Sequence, residues 1–156
     1  MSIFKKKVSS DNEDGAIRSF DIVTLRESGM RYTVEYEMVM KDGNAEVSLY
    51  TIKYSRHECC RNLERRAVCS AGAALKLLND CRLLSWDGFD GPHPKGVLDG
   101  IMFEFQASVN DGKRITACGS ENFPQHYREL TDGIYARSGD GLLYDTEEAY
   151  SDCLAT

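Results

Sequence analysis

The feature that most constrains the fold is an alternating stretch, residues 30–54, that is folded back on itself by one tight turn. From residue 30 to residue 40 every second side chain is apolar or aromatic, which is typical of a strand with one buried face. Asp42-Gly43 follows and is a preferred pair for a two-residue type I′ turn, because both central positions need a positive φ. With this pair at the tip, Met38 lies opposite Val47, so turn chemistry and hydrophobic pattern predict the same hairpin register.

A long helix is predicted after this hairpin. Ser55 and Glu58 match the capping-box pattern, in which a hydroxyl and a carboxylate bind the first free amides of a helix. Apolar residues spaced by three and four then run from Cys60 to Cys81, as on the buried face of an amphipathic helix. The sequence therefore predicts a helix that begins at residue 55 and ends between residues 82 and 84.

A second hairpin and a second helix are predicted further along the chain. Residues 85–98 are rich in glycine and proline, which indicates an irregular loop, and alternation returns over residues 100–109. A three-residue loop, Asn110-Asp111-Gly112, keeps the apolar residues of both strands on one face and is favoured over a two-residue loop. The second helix is expected to begin near Asn122, with Pro124 in its first turn.

Together with a strand over residues 19–27, these elements predict an α+β fold. The order is a three-strand meander, a helix, a β-hairpin and a helix, which indicates an antiparallel sheet of about five strands with both helices on one face. We expect a mobile arm over residues 1–17, one domain over residues 18–137 and an acidic tail over residues 138–156.

Composition argues against several classes of partner. The net charge of −6 argues against nucleic acid as a main partner, because phosphate binding needs a basic face. No run of about 18 apolar residues is present, so no membrane helix is predicted, and without an apolar signal core a cytoplasmic location is expected. Six cysteines in such a chain are predicted to be free thiols, and neither a metal site nor a cofactor is expected.

Three short segments resemble small bacterial proteins of unassigned function. They are Trp86-Asp87-Gly88, residues 99–105 with the sequence DGIMFEF, and residues 119–124 with the sequence GSENFP. The resemblance covers residues 86–130 and implies a small bacterial α+β domain. It brings no reaction, cofactor or catalytic residue.

The irregular loop predicts one candidate binding surface. The end of the second hairpin must lie beside its beginning, and the loop leads the chain to that same edge of the sheet. An aromatic anchor among polar groups is typical of binding sites. The candidate residues are Trp86, Asp87, Phe89, Asp90, Asp99, Ser120, Glu121 and Asn122. The alternative is that Trp86 fills the end of the core.

A second candidate is a basic patch on the predicted first helix, which could bind an anion. Its residues are Arg56, His57, Arg61, Arg65 and Arg66. The alternative is an ordinary solvated helix face. His57 and Cys60 would also share a helical face, but a lone pair does not make a metal site or a catalytic dyad.

The sequence leaves three functional hypotheses. A non-catalytic binding or protein-interaction module of a bacterial cytoplasm is favoured, because turn, cap and core roles account for almost every residue that catalysis would need. One alternative is a small-molecule-binding or hydrolytic enzyme that uses the carboxylates around Trp86. The other is an anion or nucleic-acid binder that uses the arginine patch.

Overall fold

The structure is a computed structural model, and it describes residues 15–139. Seven strands form one sheet in the order β4-β3-β2-β1-β6-β7-β5, with only β5 parallel to its neighbour β7. The strands are β1 Phe20–Ser28, β2 Thr33–Lys41, β3 Asn44–Tyr54, β4 Cys59–Ser70, β5 Asp90–Gly91, β6 Met102–Val109 and β7 Lys113–Ser120. The helices are α1 Ala71–Asp80 and α2 Tyr127–Arg137, and a 3₁₀ turn covers Leu83–Trp86.

Both helices pack on one face of the sheet, which we call the inner face. Leu78 of α1 and Leu130 of α2 are fully buried against strand residues such as Val23 and Phe105 in a single core cluster. Because successive strand residues point to opposite sides, the alternate residues form an outer face on which neither helix packs. The predicted α+β class is therefore confirmed, while the sheet has seven strands of mixed direction instead of about five antiparallel ones.

Both hairpins have the predicted registers. Met38 pairs with Val47, and the turn residues Asp42 and Gly43 have φ values of 54° and 82°. In the second hairpin Ala107 pairs with Ile115 around the three-residue loop, as predicted. Local turn chemistry therefore determines both registers.

The predicted first helix is wrong over residues 59–70, which form the edge strand β4. This strand pairs antiparallel with β3 along its length, and α1 begins only at Ala71. A β-bulge at Glu64, between the Tyr50–Leu63 and Leu49–Arg65 pairs, interrupts the two-residue period. Without a clear period of two, the apolar residues of this segment matched helical spacing by coincidence.

The second helix begins five residues later than predicted, at Tyr127. Glu121 and His126 have left-handed φ values of 49° and 68°, so the chain between them cannot be helical from residue 122. Pro124 lies before the helix, and its carbonyl oxygen accepts a hydrogen bond from the amide of Tyr127 at 3.3 Å.

The domain boundaries also differ from those expected. Ile17 is 3 % exposed, and Asn79 binds both its amide and its carbonyl group, so the folded part of the chain includes residue 17. Ser138 is fully buried and belongs to the domain. Apart from residues 138 and 139, the predicted acidic tail lies outside the described residues, as do the first 14 residues of the predicted arm.

The cysteines follow the expectation only in part. Cys59, Cys69, Cys81 and Cys118 are free thiols. Cys60 lies half-buried in β4, and Cys153 lies outside the described residues.

Candidate functional site

Cross-strand pairing aligns the polar residues of the outer face in rows that run across the strands. In one row, Glu35 pairs with Arg26, Arg26 with Glu104, Glu104 with Cys118, and Cys118 with Asp90. We call these five residues the central row. Paired residues point to the same side of a sheet, so five strands contribute one side chain each to a continuous polar line.

A cavity of about 480 Å³ opens over this row and its neighbour, in which Ser28 pairs with Met102 and Met102 with Ser120. Its wall consists of Arg26, Ser28, Tyr54, Asp90, Gly91, Pro92, His93, Met102, Phe103, Glu104, Cys118, Gly119 and Ser120. A second depression of about 320 Å³ shares Arg26 and Glu104 with the first. The two together form a trough along the outer face.

Arg26 does not neutralise Glu104, although the two residues are cross-strand partners. Its Nη2 donates to Oε2 of Glu35 at 2.9 Å, and this bond is the main reason that the pKa of Arg26 is raised. Arg61 from β4 donates to the other oxygen of Glu35 at 2.6 Å and to Glu37 at 2.8 Å. Within residues 15–139, Glu104 therefore has neither a hydrogen bond nor an ion pair.

The thiol of Cys118 lies between two carboxylates. Its Sγ is 3.7 Å from Oδ1 of Asp90, and Glu104 is its cross-strand partner. Desolvation and then the charge and hydrogen bond of Asp90 raise the pKa of Cys118. The thiol is therefore protonated near neutral pH and is a weaker nucleophile than an ordinary exposed cysteine.

Ser120 and His93 form a hydrogen-bonded pair at the other end of the cavity. Nδ1 of His93 lies 2.7 Å from Oγ of Ser120, and Nε2 contacts the carbonyl oxygen of Val97. A carbonyl oxygen can only accept, so the ring proton lies on Nε2 and Nδ1 accepts from the Ser120 hydroxyl. Asn122 holds the same loop through Nδ2, which donates to the carbonyl oxygen of Pro92 at 3.3 Å.

Of the three segments that the sequence places at one edge, the irregular loop lines the cavity through residues 91–93 and the fourth predicted strand, β6, lines it through residues 102–104. The end of β7 completes the wall, whereas the predicted start of the second helix, from Asn122 onwards, does not line it. Of the eight candidate binding residues, Asp90 and Ser120 lie in its wall.

Three of the other candidates have structural contacts with the core or the sheet. Trp86 is 1 % exposed, packs edge-on against Phe105 and donates from Nε1 to the carbonyl oxygen of Gln125 at 3.0 Å. Phe89 packs against Phe103 in the same core. Asp87 accepts a hydrogen bond from a backbone amide of β7 at 3.1 Å.

The last three candidates do not line the cavity. Oε1 of Glu121 accepts from the amide of Ile101 at 2.6 Å, which fixes the chain at the start of β6. Asn122 holds the Pro92 carbonyl, as described above. Asp99 is exposed and makes no hydrogen bond or ion pair with the described part of the chain.

The predicted arginine patch does not form a single surface. Arg66 donates to Ser48 and to Tyr50, while Arg65 donates to Tyr135 and Ser138, which lie at the end of α2 and just beyond it. The bulge in β4 places Arg61 on the outer face and Arg65 on the inner side, against α2. Arg56 and His57 are exposed in the turn before β4. The expected helical pairing of His57 with Cys60 is therefore wrong.

Sequence reasoning missed four residues of the site: Arg26, His93, Glu104 and Cys118. Arg26, Glu104 and Cys118 are the polar members of alternating strands, a position that usually means only solvent exposure. The signal that could have identified them is the pairing of β1 with β6, which joins residues 78 apart in sequence. Among residues 15–139, no three His, Cys, Asp or Glu side chains are placed to hold a metal ion.

The helices described between residues 15 and 139 are all too short or too polar to cross a membrane. No protein-family model matches the chain, and neither a curated protein nor a solved structure matches it.

Proposed function

We propose that this protein is an interaction module that binds a cationic side chain of a partner protein in the outer-face cavity. The observation that supports this most strongly is the central row, in which Arg26 is bound by Glu35 and leaves Glu104 unpaired among the described residues. This proposal adds a binding site and a cationic ligand to the hypothesis favoured from the sequence, a binding or protein-interaction module.

The charges around the cavity favour a cation. Two arginines, Arg26 and Arg61, face four carboxylates, those of Glu35, Glu37, Glu104 and Asp90. Both arginines donate to Glu35, so the excess negative charge lies at the Glu104 and Asp90 end of the row. An arginine or lysine side chain from a partner would pair with these two carboxylates, which are exposed and reachable from solvent.

The apolar part of the wall favours a side chain with a long stem. Met102 is 59 % exposed and Tyr54 is 62 % exposed, and both line the cavity. Leu98, five residues beyond His93 in the same loop, is 96 % exposed. Apolar side chains exposed around a polar centre are typical of protein-binding surfaces, and a cavity of about 480 Å³ accommodates one long side chain.

Neither alternative hypothesis gains comparable support. Of the three aspartates near Trp86, only Asp90 lines the cavity, so no carboxylate pair from that loop is available for hydrolysis. Arg61, Arg65 and Arg66 are each bound to side chains of the sheet or α2 and do not form a free anion-binding patch. We keep the cytoplasmic location and the bacterial origin as parts of the proposal. Fluorescence localisation of the tagged protein in a bacterial host tests the cytoplasmic location.

The binding proposal is tested by an NMR titration with two matched probes, Nα-acetyl-arginine methylamide and its uncharged isostere Nα-acetyl-citrulline methylamide. We expect the arginine probe to shift the amide signals of Met102, Glu104 and Cys118 in a saturable manner, and the citrulline probe to bind at least about tenfold more weakly. Glu104→Gln should remove this difference. Glu64→Gln, which changes a carboxylate outside the cavity, should preserve it.

Two outcomes would contradict the proposal. Equal binding of the two probes would show that charge does not select the ligand. Shifts that cluster outside the trough would show that the cavity is not the binding site.

A further inference from the structure

We propose that Ser120 and His93 form a nucleophile and general-base pair that hydrolyses carboxylic esters. The Ser120 hydroxyl donates to Nδ1 of His93 across 2.7 Å, and both residues line the cavity on the outer face. A serine is a weak nucleophile unless a base takes its proton, and a neutral imidazole in hydrogen-bond contact is the commonest such base.

The contacts around His93 prepare it to act as the base. Nε2 faces the carbonyl oxygen of Val97, which fixes the tautomer with a free lone pair on Nδ1. When the imidazole becomes positively charged, the same carbonyl stabilises the Nε2 proton. The Val97 carbonyl thus holds the imidazole and stabilises its second proton, as a carboxylate does in many serine hydrolases.

The sheet fixes the position of Ser120. Its residue pair with Met102 is the last of the β6–β7 ladder, and the amide of the next residue, Glu121, donates to Ile101 at 2.8 Å. Gly119 lies so close to the carbonyl oxygen of Asn122 that a Cβ atom there would overlap it. The turn therefore packs directly against the chain beside Ser120 and fixes the position of the serine backbone.

The reaction proceeds in two steps. Oγ of Ser120 attacks the ester carbonyl carbon while its proton moves to Nδ1 of His93, and the C–O bond to the alcohol breaks as that proton passes to the leaving oxygen. A water molecule then loses a proton to Nδ1, attacks the acyl group on Ser120, and releases the carboxylic acid as the proton returns to Oγ. The two steps require no oxidant, metal or cofactor.

The acyl-enzyme should accumulate with an activated ester. The amides of Cys118 and Glu121 are already bound to Phe89 and Ile101, so they are not free to stabilise an oxyanion. A good leaving group accelerates only the first step. We therefore expect fast acylation by p-nitrophenyl acetate, followed by slow release of acetate.

The experiment uses the full-length Cys118→Ala protein, because the exposed thiol of Cys118 could itself take an acetyl group from the ester. In this background we expect a burst of p-nitrophenol close to one per chain, with the acetyl group located on Ser120 by peptide mass spectrometry. Ser120→Ala should abolish the burst, and His93→Gln should slow it about a hundredfold. Ser108→Ala and His57→Gln, which change a serine and a histidine outside the cavity, should leave it unchanged.

The same data separate this activity from the proposed binding. Acetyl groups on lysines or another serine, or a burst that survives Ser120→Ala, would overturn the inference. The arginine probe would still bind in that case, because Glu104 does not take part in the reaction. A circular dichroism melt of each variant excludes loss of fold as the cause of a lost burst.

Discussion

Nη2 of Arg26 donates to Oε2 of Glu35 across 2.9 Å, and the Glu35 side chain is only 6 % exposed. The two residues are cross-strand partners on β1 and β2. Arg61, from β4, binds the second oxygen of the same carboxylate and lies 3.5 Å from the centre of the Tyr50 ring. One buried carboxylate thus joins three strands of the outer face and directs Arg26 away from Glu104.

Glu35→Gln should lower the free energy of unfolding by about 1 to 3 kcal/mol, because it leaves two guanidinium groups without their shared charge partner. The loss is limited by the partial exposure of both arginines, 39 % and 41 % of their side chains. Glu37→Gln is the matched control and should cost less, since Glu37 binds only Arg61. Urea unfolding checks both, and equal losses would show that Glu35 has no special role.

Ser70 is expected to be the helix cap that the sequence pattern assigned to Ser55. Its Oγ accepts from the amide of Ala73 at 3.1 Å, at the first turn of α1. Ser70→Ala should therefore lower the free energy of unfolding by about 1 kcal/mol. Ser55→Ala should change it by less than about 0.5 kcal/mol, because Ser55 lies in an exposed turn. A larger loss for Ser55→Ala in thermal melts would contradict this assignment.

Asp90→Asn should accelerate alkylation of Cys118 by iodoacetamide near neutral pH. Loss of the aspartate charge lowers the pKa of Cys118 towards its ordinary value and increases the thiolate fraction. Glu104→Gln should have a smaller effect, since Glu104 contributes less to that raised pKa. Peptide mass spectrometry at several pH values gives the rate at this residue, and a faster reaction in Glu104→Gln than in Asp90→Asn would contradict the ranking.

Alkaline pH should destabilise the protein through half-buried Tyr36 and buried Tyr127. Burial, followed by the charge of Glu27, raises the pKa of Tyr36 from 10.0 to about 12. Burial and a hydrogen bond to Glu27 also raise the pKa of Tyr127. The unfolded chain loses these protons first, so the stability present below pH 10 is lost as the pH rises towards 12.

Tyr36→Phe should make that loss of stability shallower. Tyr54→Phe, at a side chain that is 62 % exposed, should leave it unchanged. Urea unfolding between pH 9 and pH 11 measures the slope. A slope in Tyr36→Phe as steep as that of the natural sequence would contradict the prediction.

Trp86 should behave as a core residue in solution. At 1 % exposure its fluorescence should be blue-shifted and poorly quenched by acrylamide until the protein unfolds. Trp86→Phe removes the bond to Gln125 and leaves unfilled volume, so the free energy of unfolding should fall by about 1.5 to 3 kcal/mol. Binding of the arginine probe should be unchanged, since Trp86 does not line the cavity. Strong quenching of the folded protein would contradict this placement.

Local physical chemistry made the hairpins predictable from the sequence. Asp42-Gly43 and Asn110-Asp111-Gly112 adopt positive φ values that suit these residues, and the turn then determines which side chains face each other. The α+β class follows from the same alternation together with two amphipathic segments. These features depend on neighbours within a few residues of each other.

Only the tertiary structure determines that residues 59–70 form a strand instead of a helix, and only it determines where the cavity lies. A bulge at Glu64 removed the period that identifies a strand, and only pairing with β3 makes this segment extended. Glu35, Arg26, Glu104, Cys118 and Asp90 come together because β1 lies between β2 and β6 in the sheet. Strand order depends on how the whole core packs, so no local pattern in the sequence could place these five side chains in one row.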